Sequence, residues 1–295
     1  MKKMTYFLKS IEYKLKFLRT FFINDVYYRK KKHLQEFGET PNFKIPKSLN
    51  EKIIHRMIYD KNPLFTQLAD KVSVRDYVKD KIGDSYLIPL LGVFDSAEEI
   101  DFNMLPERFV IKCNHDSNSS IICTDKIFFN EDEARRKLSF CLSRNMYYNT
   151  REWHYKNITP RIICENYIDV FLGKDRAYIP ECFRIHCFAG KAHITEADFT
   201  DNNKNEYVNV YDKMWMLLPL TMGYENNSHN IPEPLSYKTM IVLAEKLSAD
   251  IDYCRVDFLL SGEDVYFSEI TLTPCNGRMH IKPESWNYLL GELWT

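Results

Sequence analysis

Two carboxylates near the C-terminus have the type and spacing of a metal site. In the stretch RVDFLLSGEDVYFSEITLTP, Asp257 lies near the middle of one strand-like segment and Glu269 lies on the next. The residues Ser261 to Asp264 form a turn between them, so both carboxylates can face the same volume. Paired carboxylates on a rigid sheet suit Mg²⁺, which prefers oxygen ligands and keeps phosphate oxygens and water in its shell. The alternative is a cross-strand charge cluster at the surface.

An arginine on the first of these strands adds a cation to the pair. Arg255 precedes Asp257 by two residues, and alternate residues of a strand face the same side. A guanidinium in that position can neutralise phosphate or a developing oxyanion. The scattered histidines His186, His193 and His280 show no metal-ligand spacing and are expected to be ordinary polar residues of strands.

The stretch FVIKCNHDSNSSIIC, residues 109–123, is the candidate phosphate-binding loop. Lys112 ends a predicted strand, and the loop that follows offers backbone N–H groups and the hydroxyls of Ser117, Ser119 and Ser120. The loop contains no glycine, so Asn118 is expected to supply the left-handed turn that glycine usually supplies. The alternative is a polar hairpin with a solvent-exposed lysine. His115 and Asp116 lack an accompanying nucleophile motif, and we expect His115 to contact phosphate or substrate.

The elements that position these residues indicate an α+β protein with mixed or antiparallel sheets and no internal repeat. Asn62 followed by Pro63 predicts a helix start. Alternation around Ala189-Gly190 predicts a hairpin that carries Arg184. Further predicted elements are strands at Tyr86–Leu91, Arg108–Lys112, Ser120–Cys123 and Arg161–Glu165, and helices at residues 131–148 and Tyr237–Asp250.

Composition excludes several classes of protein. Residues 1–32 contain ten Lys or Arg against two acidic residues, which leaves 30 basic and 39 acidic residues in the rest of the chain. An acidic body argues against general nucleic-acid affinity. The eight cysteines form no CxxC pair, which is typical of buried free thiols in a reducing compartment. No apolar run spans a bilayer and no secretory signal is recognisable, so we expect a cytoplasmic protein.

The first segment is predicted to be a basic amphipathic helix. Its apolar residues recur at helical spacing, and lysines fill much of the other face; the apolar set is Met4, Phe7, Leu8, Ile11, Leu15, Leu18 and Phe22. Such a helix can lie on the inner face of the cell membrane, with contact through residues 1–32. The alternative is a helix that packs on its own domain with solvated lysines opposite.

The order of these residues resembles the ATP-grasp superfamily, and more closely the TupA-like ATP-grasp family of bacterial surface-polysaccharide clusters, named for a teichuronopeptide biosynthesis protein. The order runs from Lys71 through Lys112, Glu165 in IICENYI and Arg184 to RVDF and FSEITLTPCNG. The resemblance extends from about Pro46 to the C-terminus. Its most distinctive pieces are PKSLNEKI, YLIPLLGV, VIKCNHDS, EWHYKNI and FSEITLTP.

The resemblance implies an ATP-grasp fold with the nucleotide held between two α+β lobes and an N-terminal helical segment in front. The expected divisions are residues 1–45 (helical segment), 46–105 (N-terminal lobe), 106–165 (central lobe with the phosphate loop) and 166–295 (C-terminal lobe with the metal-binding hairpin). Its cofactors would be ATP and Mg²⁺. Asp257 and Glu269 would bind one or two Mg²⁺, and the catalytic cations would be Arg255, Arg184 and Lys112. Nucleotide contacts would come from Lys71, Lys112, His115, Asp116, Ser117, Asn118, Ser119, Glu165, Asn166, Tyr167 and Ile168, of which the last four form an inter-lobe strand along adenine.

Two positions depart from the family pattern. Thr271 stands where many superfamily members have an asparagine that binds metal, so the resemblance supplies no third protein ligand. Asn118 stands where the family loop commonly has glycine, which implies a stiffer loop that approaches the phosphates less closely.

The activity that the resemblance implies is carbon–nitrogen ligation. ATP would activate a carboxylate as an acyl phosphate, and an amino acid or small amine would attack it to form an amide. The expected acceptor is a hexuronic-acid carboxylate of a surface glycan or a nucleotide sugar. Two alternatives stay open: an ATP-grasp kinase acting on a sugar or small molecule, and a non-catalytic glycan-binding protein.

Overall fold

The computed structural model describes the backbone of residues 2–295 and the side chains of residues 6–295. The chain folds into two compact units built from interleaved segments. Unit 1 comprises residues 1–40, 57–75 and 88–167, and unit 2 comprises residues 41–56, 76–87 and 168–295. Helices and antiparallel sheets occur in both units, so the predicted α+β class is confirmed. Among the described residues, no helix is long and apolar enough to cross a membrane.

Unit 1 contains a four-stranded sheet with helices. The strands follow the order β1-β4-β2-β3 and every neighbouring pair is antiparallel. Their bounds are β1 Leu90–Phe94, β2 Phe109–Cys113, β3 Ile121–Cys123 and β4 Ile162–Asn166. The helices that lie wholly in this unit are α1 Lys2–Phe22, α2 Asp25–Phe37, α4 Pro63–Ala69, α6 Glu131–Leu142 and α7 Met146–Thr150. Helix α3, Leu49–Tyr59, and helix α5, Val74–Ile82, have residues in both units.

Unit 2 contains a five-stranded antiparallel sheet in the order β10-β9-β5-β6-β7. The bounds are β5 Cys182–Phe188, β6 Lys191–Thr200, β7 Glu206–Asp212, β9 Tyr253–Ser261 and β10 Asp264–Thr271. Helix α8, Tyr237–Ser248, packs on β5, β6 and β9 and buries four predicted core residues: Met240, Leu243, Ala244 and Leu247. The unit also contains a small sheet of β8 Thr221–Met222 and β11 Ile281–Lys282, and helix α9 Ser285–Leu293.

Most of the predicted elements are present, with shifted ends. The Asn62 side chain caps α4 by accepting a hydrogen bond from the Leu64 N–H, as expected. The predicted strand Tyr86–Leu91 is wrong in its first half, because Tyr86 lies in a 3₁₀ turn and β1 begins only after Pro89, which has no N–H to donate. Residues 131–148 contain two helices rather than one, since the Asn145 side chain caps a new start.

Candidate active site

One face of the five-stranded sheet in unit 2 carries a row of charged side chains. Glu269 on β10 lies opposite Asp257 on β9, Asp257 lies opposite Arg184 on β5, and Arg184 lies opposite Glu196 on β6. Residues that are directly opposite in neighbouring strands point to the same side of a sheet. The two predicted carboxylates and one predicted arginine are therefore aligned across three adjacent strands, and Glu196 extends the row.

A bulge in each hairpin sets this alignment. Between Phe267 and Glu269 the register of β10 shifts by one residue, which leaves Ser268 as the extra residue. Without this bulge, Ser268 would lie opposite Asp257, and Glu269 would point to the other side of the sheet. A second register shift occurs between His186 and Cys187, in the pairing of β5 with β6. It lies nearer to the hairpin turn than the pairing of Arg184 with Glu196 does.

Arg255 and Asp257 form a bidentate ion pair within β9. The guanidinium donates from Nε to Oδ1 over 2.8 Å and from Nη2 to Oδ2 over 2.7 Å. Both residues are buried, at 7% and 2% exposure. Arg255 also donates to the Thr271 hydroxyl over 3.3 Å, and its Nη2 lies 3.9 Å from the Glu269 carboxylate, whose side chain is 44% exposed. The arginine thus already offsets the negative charge of the predicted metal ligands.

Arg184 contacts two acidic residues of β6, Glu196 in the row and Asp198 beside it. Its Nη2 is ion-paired with Asp198 on β6, and its Nη1 lies 3.7 Å from the Glu196 carboxylate. Its Nε lies 3.9 Å from Asp257. Glu196 and Asp198 were not among the residues predicted from the sequence. Their spacing of two residues in ITEADF was an available signal, because alternate residues of one strand share a face.

His186 belongs to the same charged network and is not the ordinary strand residue that we expected. It is fully buried, and its Nε2 lies 2.5 Å from Glu196 while its Nδ1 lies 3.0 Å from the Tyr253 hydroxyl. A carboxylate partner requires the proton on Nε2, so His186 donates to Glu196, and Nδ1 is hydrogen-bonded to the tyrosine hydroxyl. His186 and Tyr253 therefore hold the Glu196 carboxylate in place.

The pKa values of the buried carboxylates in this network are shifted in opposite directions. Burial raises the pKa of Asp257 to about 6 although Arg255 opposes the shift, and burial likewise raises the pKa of Asp198 to about 7 against Arg184. For Glu196 burial also acts upward, but the hydrogen bond and charge of His186 and the two arginines bring its pKa down to about 2. The nearby arginines thus leave part of the burial cost at Asp257 and Asp198 uncompensated, and an added cation would lower that cost.

The donor set fits Mg²⁺ as a two-carboxylate site. Among the residues that the structure describes, no three His, Cys, Asp or Glu side chains are grouped to hold a metal ion by themselves. Mg²⁺ is usually bound by one or two carboxylates together with substrate phosphates and water, so Asp257 and Glu269 would suffice. Thr271, at the position of the third superfamily ligand, donates to Glu269 over 3.3 Å. That hydroxyl orients a carboxylate and adds no charge.

In unit 1, Lys112 is the last residue but one of β2 and belongs to a second charged cluster. Its Nζ lies 2.8 Å from Oε2 of Glu165, whose Oε1 accepts from Arg75 over 2.8 Å. The Lys112 side chain is only 14% exposed, so the alternative of a solvent-exposed lysine is wrong. Arg75 was not singled out from the sequence.

The loop after Lys112 is closed by side-chain hydrogen bonds. Oδ1 of Asp116 accepts from the N–H and hydroxyl of Ser119, and the Ser119 hydroxyl accepts from the Cys113 N–H over 2.7 Å. None of the described residues 113–120 has a positive φ, so the left-handed turn expected at Asn118 is wrong. Aspartate and serine hydrogen bonds to the loop backbone replace it. Ser117 and Asn118 are exposed at the tip.

Lys71 lies against this loop. Its Nζ donates to the backbone oxygen of Asp116 over 2.5 Å, and its N–H donates to the backbone oxygen of Asn114. His115 is buried, with Nε2 2.9 Å from the Arg144 backbone oxygen and Nδ1 3.2 Å from the Asn114 side-chain oxygen. In this structure both ring nitrogens of His115 are used within unit 1, which positions the loop.

The segment from Glu165 to Ile168 includes the end of β4. Glu165 lies opposite Leu90 and Val110, and the Asn166 N–H donates to the backbone oxygen of Pro89. Tyr167 and Ile168 follow the strand, at the point where the chain passes from unit 1 to unit 2. The Tyr167 ring lies 4.2 Å from the guanidinium carbon of Arg108.

Several solved structures resemble the chain at low identity. D-alanine–D-alanine ligase from Bacillus anthracis is 17% identical with a TM-score of 0.38, over 70% of this chain and 58% of that one. The Helicobacter pylori enzyme of the same name is 13% identical with a TM-score of 0.41, over 77% and 58%. A RimK domain ATP-grasp protein from Sphaerobacter thermophilus DSM 20745 is 10% identical with a TM-score of 0.41, over 78% and 69%. The chain thus spans less than two thirds of the length of either ligase.

A protein-family comparison gives the assignment. No curated protein matches the chain. The sequence model described as TupA-like ATPgrasp matches residues 51–295, which include every residue of both charged clusters and the loop. The match confirms the ATP-grasp fold, and the chain belongs to the TupA-like ATP-grasp family.

Proposed function

We propose that this chain is an ATP-dependent carboxylate–amine ligase that forms an amide through an acyl phosphate. The observation that carries the proposal is the row of carboxylate and arginine side chains across the sheet of unit 2, in a member of the ATP-grasp family. Such a row offers acidic oxygens for Mg²⁺ and guanidinium groups for phosphoryl oxygens at fixed spacing. Phosphoryl transfer depends mainly on positioning and electrostatics, and therefore needs no side-chain nucleophile.

The proposed reaction has two steps. A carboxylate oxygen of the acceptor attacks the γ-phosphorus of ATP, the bond from that phosphorus to the β,γ-bridging oxygen breaks, and ADP leaves. The amine nitrogen then attacks the carbonyl carbon of the acyl phosphate, loses a proton, and inorganic phosphate leaves. Activation is needed because a carboxylate oxygen is a poor leaving group and phosphate is a good one.

The side chains would divide this work by charge. Lys71 and Lys112 would bind the α- and β-phosphates as point charges, with Lys112 exchanging Glu165 for phosphate oxygen. Arg184 and Arg255 would orient the γ-phosphate and offset its developing charge. Bound Mg²⁺ would supply further positive charge at the transferred phosphoryl group.

The remaining nucleotide contacts follow from the loop and the end of β4. Loop residues 114–120 would cover the triphosphate with backbone N–H groups and hydroxyls. The segment 165–168 would contact adenine through its backbone. Asp257 and Glu269 would hold the metal ion.

For substrates, we propose a hexuronic-acid carboxylate of a bacterial surface polysaccharide, or of its nucleotide-sugar precursor, and an amino acid or small amine. The TupA-like resemblance supports this choice. The acidic body of the chain disfavours nucleic acid as a partner. The reaction would run in the cytoplasm, at the inner face of the membrane, where ATP meets the precursors of surface glycans.

The fate of the transferred phosphate tests the proposal. The full chain is incubated with Mg-ATP, a panel of uronic-acid glycans and nucleotide sugars, and a panel of amino acids, and phosphate release and product mass are measured. A ligase releases inorganic phosphate only when acceptor and amine are both present, and its product gains the mass of an amide. A product that retains phosphate would instead identify a kinase, and a chain that binds glycan but no Mg-ATP would identify a binding protein.

Lys112→Ala is the matched variant for this assay. It should lower turnover by roughly 100-fold, because it removes a phosphate-positioning charge. Lys79→Ala removes the same charge from an exposed position on α5 and should leave turnover unchanged. A folded Lys112→Ala variant with normal turnover would remove this lysine from the mechanism.

A further inference from the structure

Helix α1 packs on unit 1 through one aromatic face. The Tyr6 ring lies 5.0 Å from that of Phe140 on α6, and the Phe17 ring lies 4.7 Å from that of Tyr148 on α7. The Tyr13 hydroxyl accepts a hydrogen bond from the Asn145 N–H over 3.0 Å. Tyr6, Tyr13 and Phe17 are spaced seven and four residues apart, so they form one side of the helix.

The opposite side of α1 is apolar and exposed. We call it the apolar stripe, and its members are between 42% and 86% exposed: Phe7, Leu8, Ile11, Leu15, Leu18 and Phe22. Successive members lie one, three or four residues apart, which is the spacing of one continuous helix face. The sequence allowed two interpretations of this helix, packing on its own domain and contact with a membrane. They are compatible, because the aromatic face packs on unit 1 and the opposite face is available for another contact. An exposed apolar patch of this extent marks an interaction surface.

Charge indicates the chemistry of the partner. Lys9 and Lys14 are exposed on α1, and Lys30 and Lys31 are exposed on α2. Residues 1–32 as a whole contain ten basic and two acidic residues. A second copy of the same stripe would bring these like charges together, whereas an anionic surface would be attracted by them. Helices α1 and α2 lie outside residues 51–295, which the family model matches, so the stripe is additional to the ATP-grasp fold.

We propose that the apolar stripe docks on an anionic lipid bilayer. Helix α1 would lie parallel to the membrane surface, with the stripe at the boundary of headgroups and acyl chains and the lysines among the headgroups. Unit 1 would stay attached through the aromatic face. The docking does not depend on the ligase reaction, and its failure would remove the proposed membrane location while leaving the proposed chemistry untouched.

Vesicle co-sedimentation of the full chain tests the docking. Vesicles of phosphatidylcholine alone are compared with vesicles that also contain phosphatidylglycerol, at low and high salt. We expect binding to the anionic vesicles that weakens as salt rises, and much weaker binding to the neutral ones. No binding of the folded chain to anionic vesicles would overturn the proposal.

Two variants separate the apolar and the charged contributions. Leu15→Asp should weaken binding to anionic vesicles at least tenfold, because it places a charge within the stripe. Ile127→Asp makes the same kind of change at an 84% exposed position off the helix and should leave binding unchanged. The double variant Lys9→Gln, Lys14→Gln should weaken binding to anionic vesicles only, by about fivefold for each lysine.

Measuring the oligomeric state tests the competing possibility that a second copy of the chain covers the apolar stripe. Light scattering without vesicles should give the same mass for the wild type and for Leu15→Asp. A wild-type dimer that Leu15→Asp converts to a monomer, together with equal vesicle binding by both, would assign the stripe to a second copy and overturn the proposal. Circular dichroism confirms that each variant is folded.

Discussion

Replacing Glu269 by glutamine separates the metal site from the stability of the fold. The Glu269 side chain is 44% exposed, and its Oε1 lies 3.9 Å from Nη2 of Arg255. Glutamine keeps the shape and one oxygen but loses the negative charge. Glu263, in the turn of the same hairpin, is exposed and offers the matched control Glu263→Gln.

The expected magnitudes differ sharply for folding and for nucleotide binding. An exposed ion pair at this distance contributes up to about 1 kcal/mol, so Glu269→Gln should change the free energy of unfolding by less than that. Loss of a charged metal ligand should weaken Mg-ATP binding at least tenfold, or about 1.4 kcal/mol. At a Mg-ATP concentration 100 times the wild-type Kd, the ligand stabilises the wild type by about 2.7 kcal/mol and would stabilise the variant by about 1.4 kcal/mol.

Urea unfolding with and without Mg-ATP measures both quantities in one experiment. The wild type and Glu263→Gln should show the same ligand-induced increase in the free energy of unfolding, and Glu269→Gln should show about half of it. If all three proteins gain equally from Mg-ATP, Glu269 holds no metal. If the free energy of unfolding of Glu269→Gln falls by several kcal/mol without ligand, the carboxylate stabilises the sheet.

Two further predictions concern stability. Burial lowers the pKa of His115, so below its unfolded value of about 6.5 the unfolded chain takes up a proton that the folded chain does not, and stability should fall as pH decreases. Urea unfolding between pH 5.5 and 7.5 should show this dependence in the wild type and less of it in His115→Asn; a slope of opposite sign would mean that the folded ring is held charged. Gly277→Ala should cost about 3 kcal/mol, because φ is +65° and a Cβ would lie 2.5 Å from Cγ1 of Ile54. Gly173→Ala, with φ +76° and no atom within 4 Å of the added Cβ, should cost only about 1 kcal/mol in the same urea assay, and equal losses for the two would contradict the packing argument.

Local signals in the sequence predicted much of the fold. The Asn62-Pro63 pair marks the start of α4 because a side-chain cap and a fixed φ act over three residues. The alternation around Ala189-Gly190 marks β5 and β6, and both turn residues have the positive φ that a tight hairpin requires. Strand β7 and helix α3 were not predicted, since their place depends on the elements against which they pack.

The candidate site was predictable in residue type and less so in geometry. A regular pairing across the Ser261–Asp264 turn would have set Ser268 opposite Asp257. The bulge places Glu269 opposite Asp257 instead, and no residue type in the sequence indicates that bulge. The His186–Glu196 contact likewise depends on a register shift in the neighbouring hairpin. The left-handed turn expected at Asn118 is absent, and the loop is instead held by the hydrogen bond from the Ser119 N–H to Asp116. The roles of the site residues stay predictions.

The extra residue in β10 separates the spacing of Asp257 and Glu269 along the chain from their pairing across the sheet. Ser268 has no partner in the ladder, so its deletion would make the pairing regular and leave Glu269 opposite Asp257. One more residue between Phe267 and Glu269, without a wider bulge, would instead place Glu269 opposite Val256 and turn it to the other side of the sheet. A relative whose two acids lie one residue closer together can therefore keep the same metal-site geometry in a hairpin without a bulge.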